Sequence, residues 1–186
     1  MTEQDEVLRT ERLILRRWRA ADRELFARMN TDPRVMEYFP AMLSRAESEA
    51  LVDWAEAHFE ERRFGPLAAE LKATGEFVGF IGLSVPRFKA AFTPCVEIGW
   101  RLAAEYWGRG LATEGARAVV KYGFADLGLE EIVSFTTVGN VRSRRVMEKL
   151  GMTCDAADNF DHPSLPEGHA LRRHVLYRLR RDSFGN

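Results

Sequence analysis

The stretch from Glu97 to Glu114 limits what this chain can become more than any other. Glu97-Ile98-Gly99-Trp100-Arg101-Leu102 reads as a strand, and Tyr106-Trp107-Gly108-Arg109-Gly110-Leu111-Ala112-Thr113-Glu114 as a glycine turn passing into a helix. A strand feeding a helix through such a turn leaves several backbone N–H groups unpaired at the positive end of the helix dipole, with no bulky side chain to screen them. That arrangement binds phosphate. The spacing is not Gly-x-Gly-x-x-Gly, because residue 113 is Thr, and the Gly-Lys-Ser/Thr ending of a nucleotide P-loop is absent. The turn therefore points to a long ligand whose pyrophosphate sits on the turn and whose remainder lies along the strand.

The rest of the chain narrows the class. At 186 residues it suits one domain with a substantial core, and its apolar (46%) and charged (30%) fractions are those of an ordinary globular protein. A net charge of −1 gives no long-range field toward nucleic acid or an anionic membrane. Cys95 and Cys154 form no Cys-x-x-Cys pair and read as buried free thiols in a reducing compartment, with a disulfide between them as the alternative. The opening Met1-Thr2-Glu3-Gln4-Asp5-Glu6 is acidic and polar, unlike a secretory signal, and no apolar run approaches the roughly 20 residues of a membrane span. A soluble, cytoplasmic protein is the expectation.

Periodicity predicts a first strand at 13–16 and a helix capped by Asp22 that carries Leu25, Phe26 and Met29. Ser44-Arg45-Ala46-Glu47 is a capping box opening a second helix that ends near Gly65-Pro66. Strands follow at 67–71, 77–85 and 96–102. A helix then spans 111–127, with Leu111, Gly115, Ala118, Val119 and Tyr122 on one face. A strand at 132–138, a short helix at 141–150 capped by Asn140, and a last strand at 173–179 complete the pattern. No internal repeat or linker divides the chain. The order predicts an α+β, α/β-like sheet with helices on both faces.

Several motifs now fall in a familiar sequence. They are Thr10-Glu11-Arg12-Leu13-Ile14-Leu15-Arg16, Glu97-Ile98-Gly99, Trp107-Gly108-Arg109-Gly110-Leu111-Ala112-Thr113-Glu114, Asn140-Val141-Arg142-Ser143 and Glu148-Lys149-Leu150-Gly151-Met152. In these the chain resembles the GNAT superfamily of acetyl-CoA-dependent N-acetyltransferases, closest to the branch of ribosomal-protein N-terminal acetyltransferases. The resemblance covers about 10–155 of a single domain, 1–186, leaving a C-terminal loop and last strand at 156–181. It implies a mixed, strongly bent sheet splayed between strands four and five, with the acetyl-CoA co-substrate in the V. Backbone groups of Trp100 and Leu102 would meet the pantetheine arm. The turn residues Trp107, Gly108, Arg109, Gly110, Leu111 and Ala112 would hold the pyrophosphate, and Asn140 and Ser143 would contact CoA from across the splay. Trp107 stands where the family has Gln or Arg. Arg142, Arg145 and Lys149 are further candidates for the phosphates.

Acetyl transfer to an amine with a pKa of about 10.4 needs a base. Glu97 is the candidate, since a carboxyl alternating with Val96, Ile98 and Trp100 on a central strand is costly to bury and has its pKa raised there. An Arg-paired or solvent-facing Glu is the plainer reading. Many relatives place a Tyr seven residues after the motif Asn; here Met147 stands there, leaving Ser143 as candidate acid, or as a simple first-turn hydroxyl. His162, His169 and His174 match no zinc spacing, so no metal is expected. Trp54, His58 and Phe59 read as core or acceptor-groove wall, and the 159–169 loop as a candidate lining of the acceptor site. The expected function is direct transfer of acetyl from acetyl-CoA to a primary amine, either a protein N-terminus or a small molecule. The alternative is an acyl-CoA-binding sensor without turnover. Neither nucleic acid nor membrane is an expected partner, and a homodimer would be in keeping with the family.

Overall fold

The computed structural model describes residues 6–185. Most of the N-terminal polar opening lies outside the described residues. Among the described residues nine strands form one sheet: β1 (Glu6–Arg9), β2 (Leu13–Arg16), β3 (Pro66–Leu71), β4 (Phe77–Ser84), β5 (Glu97–Leu102), β6 (Glu131–Thr137), β7 (Thr153–Cys154), β8 (Phe160–Asp161) and β9 (Arg173–Arg180). Their hydrogen-bonded order is β1-β2-β3-β4-β5-β6-β9-β7, with β8 also on β9. Four α-helices accompany them among the described residues: α1 (Ala20–Met29), α2 (Arg45–Arg62), α3 (Leu111–Ala125) and α4 (Val141–Lys149). The strand at 6–9 makes the splay fall between the fifth and sixth strands, not the fourth and fifth.

Strand alternation sorts two apolar clusters. Leu13, Leu15, Ile81, Ile98 and Leu102 pack with α3, while Phe26, Met29, Val35, Met36 and Val52 form a second cluster under α1 and α2 with Phe77 and Phe80. The buried face of α3 is Leu111, Gly115, Ala116, Val119, Val120, Gly123 and Phe124, rotated from the expected one, with Ala118 and Tyr122 at its margin. The helix lies so close to the sheet that a Cβ on Gly115 would come within 2.4 Å of Ile81 Cδ1.

Polar contacts fix the entry to this core. The Ser44–Glu47 capping box forms as expected. Asp22 is not the cap of α1; Arg19 occupies that position, and Asp22 accepts its N–H at 2.7 Å from the first turn. Asp22 also binds the Arg16 guanidinium through both oxygens, at 2.6 and 2.9 Å, while Arg16 Nε donates to Glu70 at 2.7 Å. All three residues are buried. His58 is a structural link: Nδ1 lies 2.7 Å from the Phe64 carbonyl, and Nε2 accepts the Val85 N–H. Both cysteines are free, but Cys154 is exposed and only Cys95 is partly buried, because the two-residue β7 sits at the sheet margin.

Candidate active site

The parallel pair β5–β6 is joined at a single register point, Glu97 opposite Val133. Val133 N–H donates to the Val96 carbonyl, and the Ser134 hydroxyl reaches the Ile98 carbonyl at 2.9 Å. Beyond that point the strands part. Ala103 N–H bonds β4 at Val78, so alternation turns the backbone groups of Trp100 and Leu102 away from β4 and into the opening. The Trp107 indole N–H takes the Leu102 carbonyl at 2.8 Å. The Leu102 N–H and both polar groups of Trp100 remain on the unpaired edge.

Gly108 and Gly110 adopt φ of +74° and +79°, a conformation only glycine enters cheaply, and Gly110 begins α3 without a side-chain cap. The amides of residues 108–113 donate to no group among the described residues. The turn is held from outside: Arg12 Nη1 donates to the Arg109 carbonyl, and Glu114 accepts from the Thr10 hydroxyl, the Arg12 N–H and Arg12 Nε. Burial opposes ionisation of Glu114, but these bonds hold its pKa below the usual value. These contacts tie the segment at 10–12 to the turn.

Opening and turn share one cavity of about 870 Å³. Among the expected site residues, Glu97, Trp100, Leu102, Trp107, Gly108 and Gly110 line it. So do Leu111, Ala112, Asn140 and Ser143. Arg109 does not; it is exposed, with its guanidinium 5.5 Å from the centre of the Tyr106 ring. The Asn140 amide caps α4 by accepting Ser143 N–H and donates to Thr136. The Ser143 hydroxyl has no hydrogen bond among the described residues. Met147 is 1% exposed within the core.

Glu97 has no side-chain hydrogen bond or ion pair among the described residues, and burial pushes its pKa up to about 8. Gly99 lies two residues along the same face of β5. A Cβ placed there would meet only Glu97 Oε1, at 4.0 Å. The carboxyl therefore faces open space within the cavity. On the same side, Trp54, Tyr38, Phe39, Phe80 and Arg101 contribute walls. Arg101 and Tyr38 carried no sequence signal as site residues. The far wall includes His162 and His174, whose rings lie 5.1 Å apart among Phe88, Phe135 and Phe160. Burial lowers both histidine pKa values. His169 instead accepts the Leu171 N–H, so the three histidines do not converge, and no metal-holding group of three or more ligands occurs among the described residues.

The sheet split, the uncapped helix start and the Glu97 carboxyl therefore border one cavity. Residues 12–153 match the acetyltransferase (GNAT) domain family. The chain belongs to the GNAT family and is an acetyl-CoA-dependent acetyltransferase. It is 34% identical over 144 residues to Bacillus subtilis YkkB, covering 77% of this chain and 83% of YkkB. An acetyltransferase structure from Agrobacterium tumefaciens superposes with a TM-score of 0.74 at 29% identity over 93% of each chain. Mycobacterium smegmatis RimJ, solved in complex with CoA-disulfide, shares the fold at 20% identity with a TM-score of 0.74, covering 94% of this chain and 84% of RimJ. No helix among the described residues is long and apolar enough to cross a membrane.

Proposed function

We propose that the protein transfers acetyl from acetyl-CoA directly to a primary amine, of a peptide N-terminus or a small molecule, with both substrates bound together. The observation that carries this reading is the unpartnered Glu97 carboxyl facing the open space over Gly99, beside the unpaired edge of β5. Acetyl-CoA supplies an acetyl group activated as a thioester. The free backbone groups of Trp100 and Leu102 suit the amide-bearing arm of CoA, and the amides of residues 108–113 suit its pyrophosphate. Arg145 and Lys149, on the same wall and without ion pairs among the described residues, suit its remaining phosphate.

Glu97, as carboxylate, takes a proton from the acceptor ammonium and frees the nitrogen lone pair to attack the thioester carbon. The N–C bond forms as the C–S bond breaks; the nitrogen sheds its second proton, which replaces the one that the departing sulfur takes. The Ser143 hydroxyl, on the cavity wall and free of other bonds, is the side chain we assign to supply it. A protein thiol is not needed: Cys95 is held protonated by burial, with a pKa pushed up to about 11, and does not line the cavity. A sensor without turnover would use the same turn but leaves the unpartnered Glu97 carboxyl in the cavity without a purpose.

Two variants separate the two halves of the site. Thr113 is the third residue of α3 and lines the cavity. Thr113→Glu puts negative charge where the helix dipole tolerates it, so the fold is kept, but also where the pyrophosphate would sit. Calorimetry should show acetyl-CoA affinity falling by on the order of 2 kcal/mol, about 30-fold, with no loss in melting temperature. Unchanged affinity removes the turn from the binding site. Gly99→Val fills the space beside Glu97 with a residue suited to strands. Acetyl-CoA binding should stay within about twofold while acceptor kcat/KM drops about 100-fold through lost positioning. Equal loss of both would place the acceptor elsewhere.

A further inference from the structure

The charges around the cavity are lopsided. Its lining holds one carboxyl, Glu97, against five cations: Arg34, Arg101, Arg142, Arg145 and Lys149. Arg34 is paired with Asp32 at 2.6 Å and Arg142 approaches Glu37 at 3.4 Å. Arg145 and Lys149 stand with Asn140 and Ser143 on the α4 wall. Arg101 is different. It lies on β5 on the same face as Glu97 and Gly99, on the side covered by α1 and α2, and no carboxylate among the described residues pairs with it.

Arg101 is also held in place. Nη1 donates to Asn30 Oδ1 at 2.7 Å, and Asn30 is fixed in turn by its bond to the Ser48 hydroxyl at 3.0 Å. The guanidinium lies 4.0 Å from the centre of the Phe39 ring and faces Phe26 and Phe80 more distantly. Nε is buried without a partner, and Nη2 makes no hydrogen bond among the described residues. Burial lowers its pKa to about 10, so it stays cationic at neutral pH. A positioned, largely desolvated guanidinium with Nη2 free and no counter-charge is a receptor for an anion. If its only task were to tie the 30–39 segment to the sheet, a neutral side chain would do so without the desolvation cost.

We propose that Arg101 binds a carboxylate on the acceptor, so that the amine acetylated at Glu97 belongs to an amino acid or short peptide-like compound and not to a polyamine. The Cα atoms of Glu97 and Arg101, four residues apart on a strand, are separated by about 13 Å. Both side chains stand on one face of β5, so the proposal requires an acceptor whose amine and carboxylate lie at the two ends of that span. Gly99 leaves the path between them open, and Trp54, Phe39 and Phe80 give it apolar walls. A polyamine would bring several positive charges to a lining that offers one carboxyl and no other acid.

The inference rests on the acetyltransferase reading, and binding separates the two. The protein is saturated with CoA, which is itself verified by calorimetry. It is then titrated with product-like pairs: N-acetylated apolar amino acids and dipeptides, each as the free acid and as the primary amide. For at least one pair the acid should bind about 10- to 100-fold more tightly than the amide. Arg101→Gln should abolish that ratio. So should Asn30→Asp, which keeps Arg101 but hands it a counter-ion, and which guards against a folding defect at position 101. A merely structural Arg101 would leave the acid-to-amide ratio unmoved. If no acid outbinds its amide, or if the preference survives both variants, the proposal is overturned. Failure of CoA to bind would overturn the acetyltransferase reading instead.

Discussion

Glu97→Gln should lose about 10²- to 10⁴-fold in kcat, the usual contribution of a positioned base, while acetyl-CoA binding stays unchanged. Burial pushes the Glu97 pKa up to about 8, so wild-type kcat/KM should climb with pH through that value and level off above it. The variant should lack this limb. Stability gives an independent signature. A carboxyl whose folded pKa is raised contributes stability fully below its ordinary value of 4.5, and that contribution is lost as pH rises to about 8. Gln carries no such titration. At pH 8 the variant should therefore melt at or above the wild-type temperature, and a loss of activity cannot be blamed on a loosened fold. Unchanged turnover, or a lost limb matched by a lowered melting temperature, would remove Glu97 from the chemistry.

Arg16→Met should destabilise the protein by about 3–5 kcal/mol, measured by chemical denaturation. Arg16, Asp22 and Glu70 are 2%, 3% and 4% exposed, so Met at position 16 strands two carboxylates with little water to solvate them. Arg19 still reaches Glu70 at 2.8 Å, which spares that group in part, but Asp22 keeps only the Arg19 N–H among its described partners. For a chain of this size the loss corresponds to a fall in melting temperature of about 10 °C. The triad joins β2, α1 and β3, and α1 forms part of the acceptor side, so acceptor KM should rise before acetyl-CoA affinity changes. A loss below about 1 kcal/mol would mean that water reaches the triad.

What the sequence disclosed followed from local chemistry. Gly108, Gly110 and the helix start after them were readable because phosphate recognition by backbone amides needs only a turn of that form. The Ser44–Glu47 box was readable because both partners lie within one turn. Asp22 was misread as a cap because its partners Arg16 and Arg19 precede the helix and Glu70 comes from a distant strand. The strand at 6–9 escaped notice because its residues are mixed in polarity and only partly buried at the sheet edge. Arg101 carried no sequence signal beyond its place on the strand at 97–102. Alternation gives the face of β5 on which it lies, but only the tertiary fold brings Asn30 and Phe39 over it and leaves it without a carboxylate partner among the described residues.

The central claim is direct acetyl transfer to an amine at the split between β5 and β6. The most direct test mixes the protein with acetyl-CoA and a panel of amino acids, short peptides and polyamines, and follows both the amines and the protein by mass spectrometry. The account predicts an N-acetylated amine formed in step with free CoA, and no acetyl group on the protein when the amine is left out. Acetyl-CoA that binds while no amine in the panel is acetylated would contradict it, as would an acetyl group that appears first on the protein.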